Sequence, residues 1–241
     1  MKKTTTCLCS AFIFGTALTA SAESFDTPLG SIDASMSVTL ASDYIWRGQS
    51  QTAGTGAIQG SLDFAHESGL YIGAWASNVD ADTFGASIEI DYYLGFAGQL
   101  SDNLSYDLSW ATYTYPKAGG AASVDEVLAS LSFHGLTLGS KYAYEPQSAL
   151  YTYVSYAFEL PYDLGLELHM GHTDTKDPLN PPTDNGKTYR DWAVTLGKPL
   201  LGLDWALMYS DTNLKGSTCT AWYGKSRYCN SNLTLSVSKG L

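Results

Sequence analysis

The sequence predicts an all-β fold: a transmembrane antiparallel up-and-down β-barrel of about twelve strands, with N and C termini periplasmic. Three observations carry this. Apolar residues alternate with small polar or acidic ones along most of the chain, the period of strands whose side chains point to opposite faces. Beyond the N-terminal segment no run of 18 apolar residues occurs; the best candidate, Leu196 to Met208, is broken by Lys198, Pro199 and Asp204. Only 15% of the 241 residues are charged, against 17 Tyr and 6 Trp, a balance unlike disorder and suited to strands and membrane–water boundaries.

Residues 1–22 read as a cleaved signal peptide. Lys2 and Lys3 form the basic region, Ala11 to Ala20 the apolar core, and Ala20-Ser21-Ala22 the small-residue cleavage site. The apolar run, about ten residues, is too short to span a bilayer as a helix. Cleavage removes Lys2 and Lys3 and no acid, taking the net charge from −11 to −13. It also removes Cys7 and Cys9. Cys219 and Cys229 are then the remaining pair, suited to a disulfide in an oxidising compartment, with two free thiols as the alternative. Metal ligation has less support, because no His or second Cys pair stands near them at ligand spacing.

Residues 23–34 form a periplasmic lead-in and 35–241 the barrel. Alternating segments fall near 35–46, 56–66, 69–78, 85–97, 103–115, 124–134, 136–145, 149–160, 163–173, 188–198, 202–211 and 229–239. Each is about 9 to 13 residues, the length of a tilted membrane-crossing strand. The period is clearest where Ile88, Ile90, Tyr92, Leu94 and Phe96 alternate with Glu89, Asp91, Tyr93 and Gly95. Prolines fall outside the strand interiors, as an unbroken ladder requires. Short joints (Glu67-Ser68-Gly69, His134-Gly135, Lys198 to Gly202) alternate with longer polar ones (Arg47 to Thr55, Thr173 to Lys187, Asp211 to Tyr228). Aromatic pairs near segment ends, Tyr44/Trp46, Tyr113/Tyr115, Tyr142/Tyr144 and Tyr151/Tyr153, are expected to form interfacial girdles. A soluble β-sandwich would alternate too, but its solvent face would carry Lys and Glu rather than Ser, Thr, Gly and Asp.

Ser42-Asp43-Tyr44-Ile45-Trp46-Arg47-Gly48-Gln49-Ser50-Gln51, followed by Gly56 to Asp63 and Glu67 to Val79, resembles the TorF-type family of outer-membrane porins, long known as conserved proteobacterial proteins of unknown function. Tyr113-Thr114-Tyr115-Pro116 resembles it as well. The likeness is strong over residues 36–116 and looser beyond. It implies an outer-membrane barrel and brings no substrate or catalytic residues. The chain departs from the common outer-membrane pattern in ending on Leu241 rather than Phe or Trp.

If the apolar parity faces lipid, the other face lines the lumen. It carries Asp43, Asp63, Glu89, Asp91, Asp107, Glu126, Glu145, Glu167, Asp191 and Asp204 against chiefly Arg47, Lys141 and Lys187, with His169 on the same parity. Charge rings of one sign bias ion passage, so these residues predict a cation-preferring diffusion pore for small polar solutes or ions. A lumen plugged by paired charges is the competing expectation, with the long loops then acting as a receptor or adhesion surface. Glu89, Asp91 and Asp107 could also take a divalent cation, though a selectivity role is preferred. His66-Glu67-Ser68 has the His-x-Ser spacing of outer-membrane phospholipases but falls at a periplasmic turn, so no enzyme is expected. No cofactor or metal is implied. Expected partners are outer-membrane lipid and lipopolysaccharide, toward which Arg190 could snorkel, and the barrel assembly machinery. An oligomer is compatible with the sequence. The acidic balance argues against nucleic acid, since no basic cluster exists to release its counterions.

Overall fold

The computed structural model describes residues 23–116, 123–176, 187–223 and 225–241; the expected signal peptide lies outside them. The chain opens with β1 (Glu23–Thr27), β2 (Gly30–Ala41) and a small hairpin of β3 (Ile45–Trp46) and β4 (Gln49–Ser50). There follow β5 (Ala57–His66), β6 (Leu70–Asn78), α1 (Ala81–Phe84), β7 (Ile88–Ser101), β8 (Leu104–Thr114), β9 (Ser123–Phe133) and β10 (Leu136–Glu145). The remainder is β11 (Ala149–Leu160), β12 (Leu164–Thr175), β13 (Thr188–Leu200), β14 (Leu203–Thr212), α2 (Gly216–Tyr223), a 3-10 turn (Ser226–Cys229) and β15 (Asn232–Gly240). Among the described residues no helix is long and apolar enough to cross a membrane.

Neighbours in sequence pair antiparallel from β5 round to β15, and β2 closes the ring by pairing with both β15 and β5. Twelve strands, β2 and β5 to β15, form the wall. Closure leaves no long edge to be satisfied by anything but another strand, the condition for a sheet in lipid. The outer face is apolar: Leu94 is 47% exposed, Ile72 59% and Leu138 54%, beside Leu62, Leu108, Leu168 and Leu207. In water such a surface would be strongly unfavourable; in hydrocarbon it is the wall of a transmembrane barrel of the bacterial outer-membrane type.

The turns at the end where β2 begins and β15 stops are short because their residues supply the left-handed backbone that tight hairpins need. His134 (φ 49°) with Gly135 (φ 83°), and Leu201 (φ 58°) with Gly202 (φ 71°), form two-residue turns with both central φ positive, the twist that matches flanking strands.

Four expectations need correction. The first wall strand begins before residue 35: β2 starts at Gly30, pairs with β5 from Ile32, and is itself paired by β1 over Gly30–Ala34. The first wall strand ends at Ala41 rather than near 46, because the following residues turn into the barrel. Pro199 lies within β13, paired with Asp204 one step from the hairpin, where a missing N–H is least disruptive. The aromatic pairs divide: Tyr142 and Tyr144 face outward, whereas Tyr44, Tyr113 and Tyr151 are buried inside. Position near a strand end did not decide their side; strand parity and the path of the first loop did. Outward-facing aromatics include Tyr92, Trp192 and Tyr209, the last two in an edge-to-face contact at 5.4 Å.

Candidate functional site

The site is the barrel interior, built from one strand face and one inward-folded loop. On β7, Glu89 and Asp91 sit two apart and so share the inner face, both almost fully buried. Asp107 on β8 accepts a hydrogen bond from Tyr71 (2.8 Å), and Asp63 on β5 one from Tyr93. Lys141 on β10 is buried on the same inner face as these carboxylates. His169 on β12 lies 3.5 Å from Asp191 on β13, and Tyr151 on β11 bridges the two at 2.8 and 3.1 Å. Glu167 and Asp204 stand half-buried on the same parity, nearer the end where β2 begins and β15 stops.

Asp43 is not a wall residue, as a strand over 35–46 would have made it, and Arg47, expected at the start of the following loop, is buried in the interior. They belong to residues 42–56, which fold into the lumen. Asp43 accepts hydrogen bonds from Ser50 and Thr52 hydroxyls, each at 2.7 Å, tying the two ends of the segment together. The chain reverses at Arg47 (φ 48°) and Gly48 (φ 75°), another turn with both central φ positive. Gly48 is needed for space as well: a Cβ there would stand 2.8 Å from Asp191 Cβ and 3.0 Å from the Asp211 carbonyl oxygen. At the tip, Arg47 Nη2 donates to Glu126 Oε1 at 2.6 Å, while its guanidinium carbon lies 4.1 Å from the Trp46 ring centre and 4.3 Å from that of Tyr151. Glu126 takes a second hydrogen bond from Tyr113 (2.7 Å).

Above this segment lies a cap. Cys219 and Cys229 form a disulfide with a Cα–Cα distance of 6.0 Å. It is buried with Ala53, Tyr189, Leu214 and Tyr228, so the last long loop packs on the inward-folded one. The Tyr228 hydroxyl donates to Asp80 beside α1, and Lys225 lies 3.3 Å from both Asp80 and Asp82. The cap thus reaches over the first loop to the β6–β7 connection.

Glu145 is exposed at the end of β10, and Lys187 is exposed before β13, so neither belongs to the buried interior. Arg190 faces outward. His66 Nδ1 lies 2.8 Å from Ser68 Oγ, but the other ring nitrogen meets the Leu29 carbonyl oxygen, so no carboxylate orients the ring as a catalytic triad requires. Sequence reading missed the inward fold, Gln49 and Tyr189 as interior partners, and the burial of Tyr151. The Arg47-Gly48 pair, favourable for a tight hairpin, was the one available signal.

A family model described as "Bacterial protein of unknown function (Gcw_chp)" matches residues 26–241. No curated protein matches the sequence. Among solved structures, the NanC porin aligns with a TM-score of 0.57 at 10% identity, covering 84% of this chain and 97% of that one. The KdgM porin aligns with a TM-score of 0.52 at 7% identity, covering 85% and 98%. The shared feature is the fold of outer-membrane porin barrels.

Proposed function

We propose that this chain, which belongs to the Gcw_chp family of bacterial proteins of unknown function, forms a narrow outer-membrane channel through which small polar solutes diffuse, with a preference for cations. The carrying observation is the contrast between an apolar outer wall and an interior lined by Asp63, Glu89, Asp91, Asp107, Glu126, Glu167, Asp191 and Asp204 but few cations. One oxygen each of Glu89, Asp91 and Asp191 has no hydrogen-bond partner among the described residues, leaving acceptor oxygens in the interior. A bore of this sign concentrates cations and repels anions. The porin fold, and the resemblance of residues 36–116 to TorF-type porins, support the channel part of this reading. In this reading the capped end faces the cell exterior among lipopolysaccharide, the termini are periplasmic, and the barrel assembly machinery inserts the strands.

Reversal potential of the refolded protein in a planar bilayer under a salt gradient tests the proposal. A potential toward the cation Nernst value is expected. Anion preference overturns the selectivity, and absence of current overturns the channel. The inward-folded segment favours a second reading, a non-conducting barrel presenting its capped end as a receptor surface. The same recording separates the two.

A further inference from the structure

Residues 42–56 touch the wall at points spread round the ring. Tyr44 donates to Glu89 on β7 at 3.3 Å, Arg47 to Glu126 on β9 at 2.6 Å, and Gln49 to Tyr189 on β13 at 2.8 Å. The Arg47 guanidinium also rests on the Tyr151 ring of β11. The segment departs from β2, and in the strand order β10 stands directly opposite β2, flanked by β9 and β11. The tip backbone at Gly48 packs beside β13 and β14, and from there the Arg47 side chain spans to β9 and β11 while Tyr44 reaches β7, so the segment and its side chains together bridge the bore.

Its two ends are held differently. The base is fixed by Asp43 with Ser50 and Thr52, by the Asp80 amide donating to the Gln51 carbonyl (2.9 Å), and by Ala53 beneath the disulfide cap. The far reach of the tip depends on Arg47. Its ion pair with Glu126 is almost completely buried, and its two aromatic contacts confine the guanidinium plane. Loss of Arg47 therefore removes the reach to β9 and β11, while the base, the Gln49–Tyr189 bond and the packing of Gly48 against Asp191 stay in place.

We propose that residues 42–56 form a strap in the bore that sets the size limit of the channel, and that Arg47 is the pin that closes it onto β9 and β11. Solutes pass beside the strap, so its position determines the free cross-section. This inference rests on the channel reading above and assigns it a size-determining element.

The test is single-channel recording with neutral polyethylene glycols of graded mass as size probes. Wild type is compared with Arg47→Ala, Glu126→Gln and a variant in which Ile45–Ser50 are replaced by a Gly-Ser linker. Heat-modifiable gel migration establishes folding of each. Arg47→Ala and Glu126→Gln each break the pin from one side. Both are expected to raise conductance at least about two-fold and to admit larger polymers, with the linker variant at the upper limit. The linker variant carries no unpaired strap cation and remains informative if a point variant does not fold. An unchanged polymer cut-off in all variants, with wild type conducting, overturns the strap while leaving the channel intact. A conductance change confined to Arg47→Ala, with the cut-off unmoved, also overturns it, since it reports only a lost charge. No current in any variant overturns the channel reading itself.

Discussion

Glu126→Gln is the perturbation that best measures how firmly the interior is built. The substitution keeps shape and leaves an amide oxygen for the Tyr113 hydroxyl, but it removes the charge facing Arg47 at 2.6 Å. Side-chain exposures of 3% and 2% place this pair in the buried class, where removal of one partner costs about 3 to 5 kcal/mol because the other charge is stranded. The rings of Trp46 and Tyr151 remain over the guanidinium and offset part of that, each by about 0.5 to 2 kcal/mol. A net loss of about 2 to 4 kcal/mol is expected. Arg47→Met strands Glu126 in turn, though the Tyr113 hydroxyl still donates to it. The double variant leaves no stranded ion and should cost less than the sum of the singles by at least about 1.5 kcal/mol. Urea unfolding from lipid vesicles, followed by tryptophan fluorescence and gel migration, reads all four corners of the cycle. A Glu126→Gln cost below about 1 kcal/mol, typical of solvated pairs, would refute the reasoning. So would additivity within about 0.5 kcal/mol.

Two further outcomes concern the cap. Burial raises the Asp80 carboxyl, but hydrogen bonds from Tyr228, Thr83 and Lys225 outweigh it and hold it below the usual carboxylate range. The Tyr228 hydroxyl is pushed up to about 12 by burial and by its bond to Asp80. The Asp80 contribution is thus present above about pH 3.9 and lost as pH falls through its lower folded value. The Tyr228 contribution is complete below about pH 10 and lost as pH rises toward 12. Thermal unfolding midpoints against pH should decline on both limbs, and Asp80→Asn should flatten the acid one; an unchanged acid limb would show that Asp80 does not anchor the cap. Replacing Cys219 and Cys229 by Ser opens a loop with a sequence separation of 10, and chain entropy puts the loss at about 2.5 to 3 kcal/mol. Protease cleavage within 213–231 should accelerate accordingly, and equal cleavage rates in both forms would contradict that role.

What the sequence by itself determined was the wall. A period of two, segments of strand length, few charges and turn residues such as His134-Gly135 are local properties, and each strand states its own inner and outer face. Glu89 and Asp91 therefore fell on the interior parity before any neighbour was known, as did Asp107 and Lys141. The tertiary structure alone decided what fills the interior. Whether Tyr44 and Arg47 continue a strand or turn inward depends on partners more than 40 residues away: Glu89, Glu126, Tyr151 and Tyr189 come together only when the ring closes. The same holds for the cap, where Asp80 and Tyr228 meet across the first loop. Alternation encodes the two solvents on either side of a sheet, whereas the strap is encoded by charge and ring complementarity between distant strands, and that has no period to read.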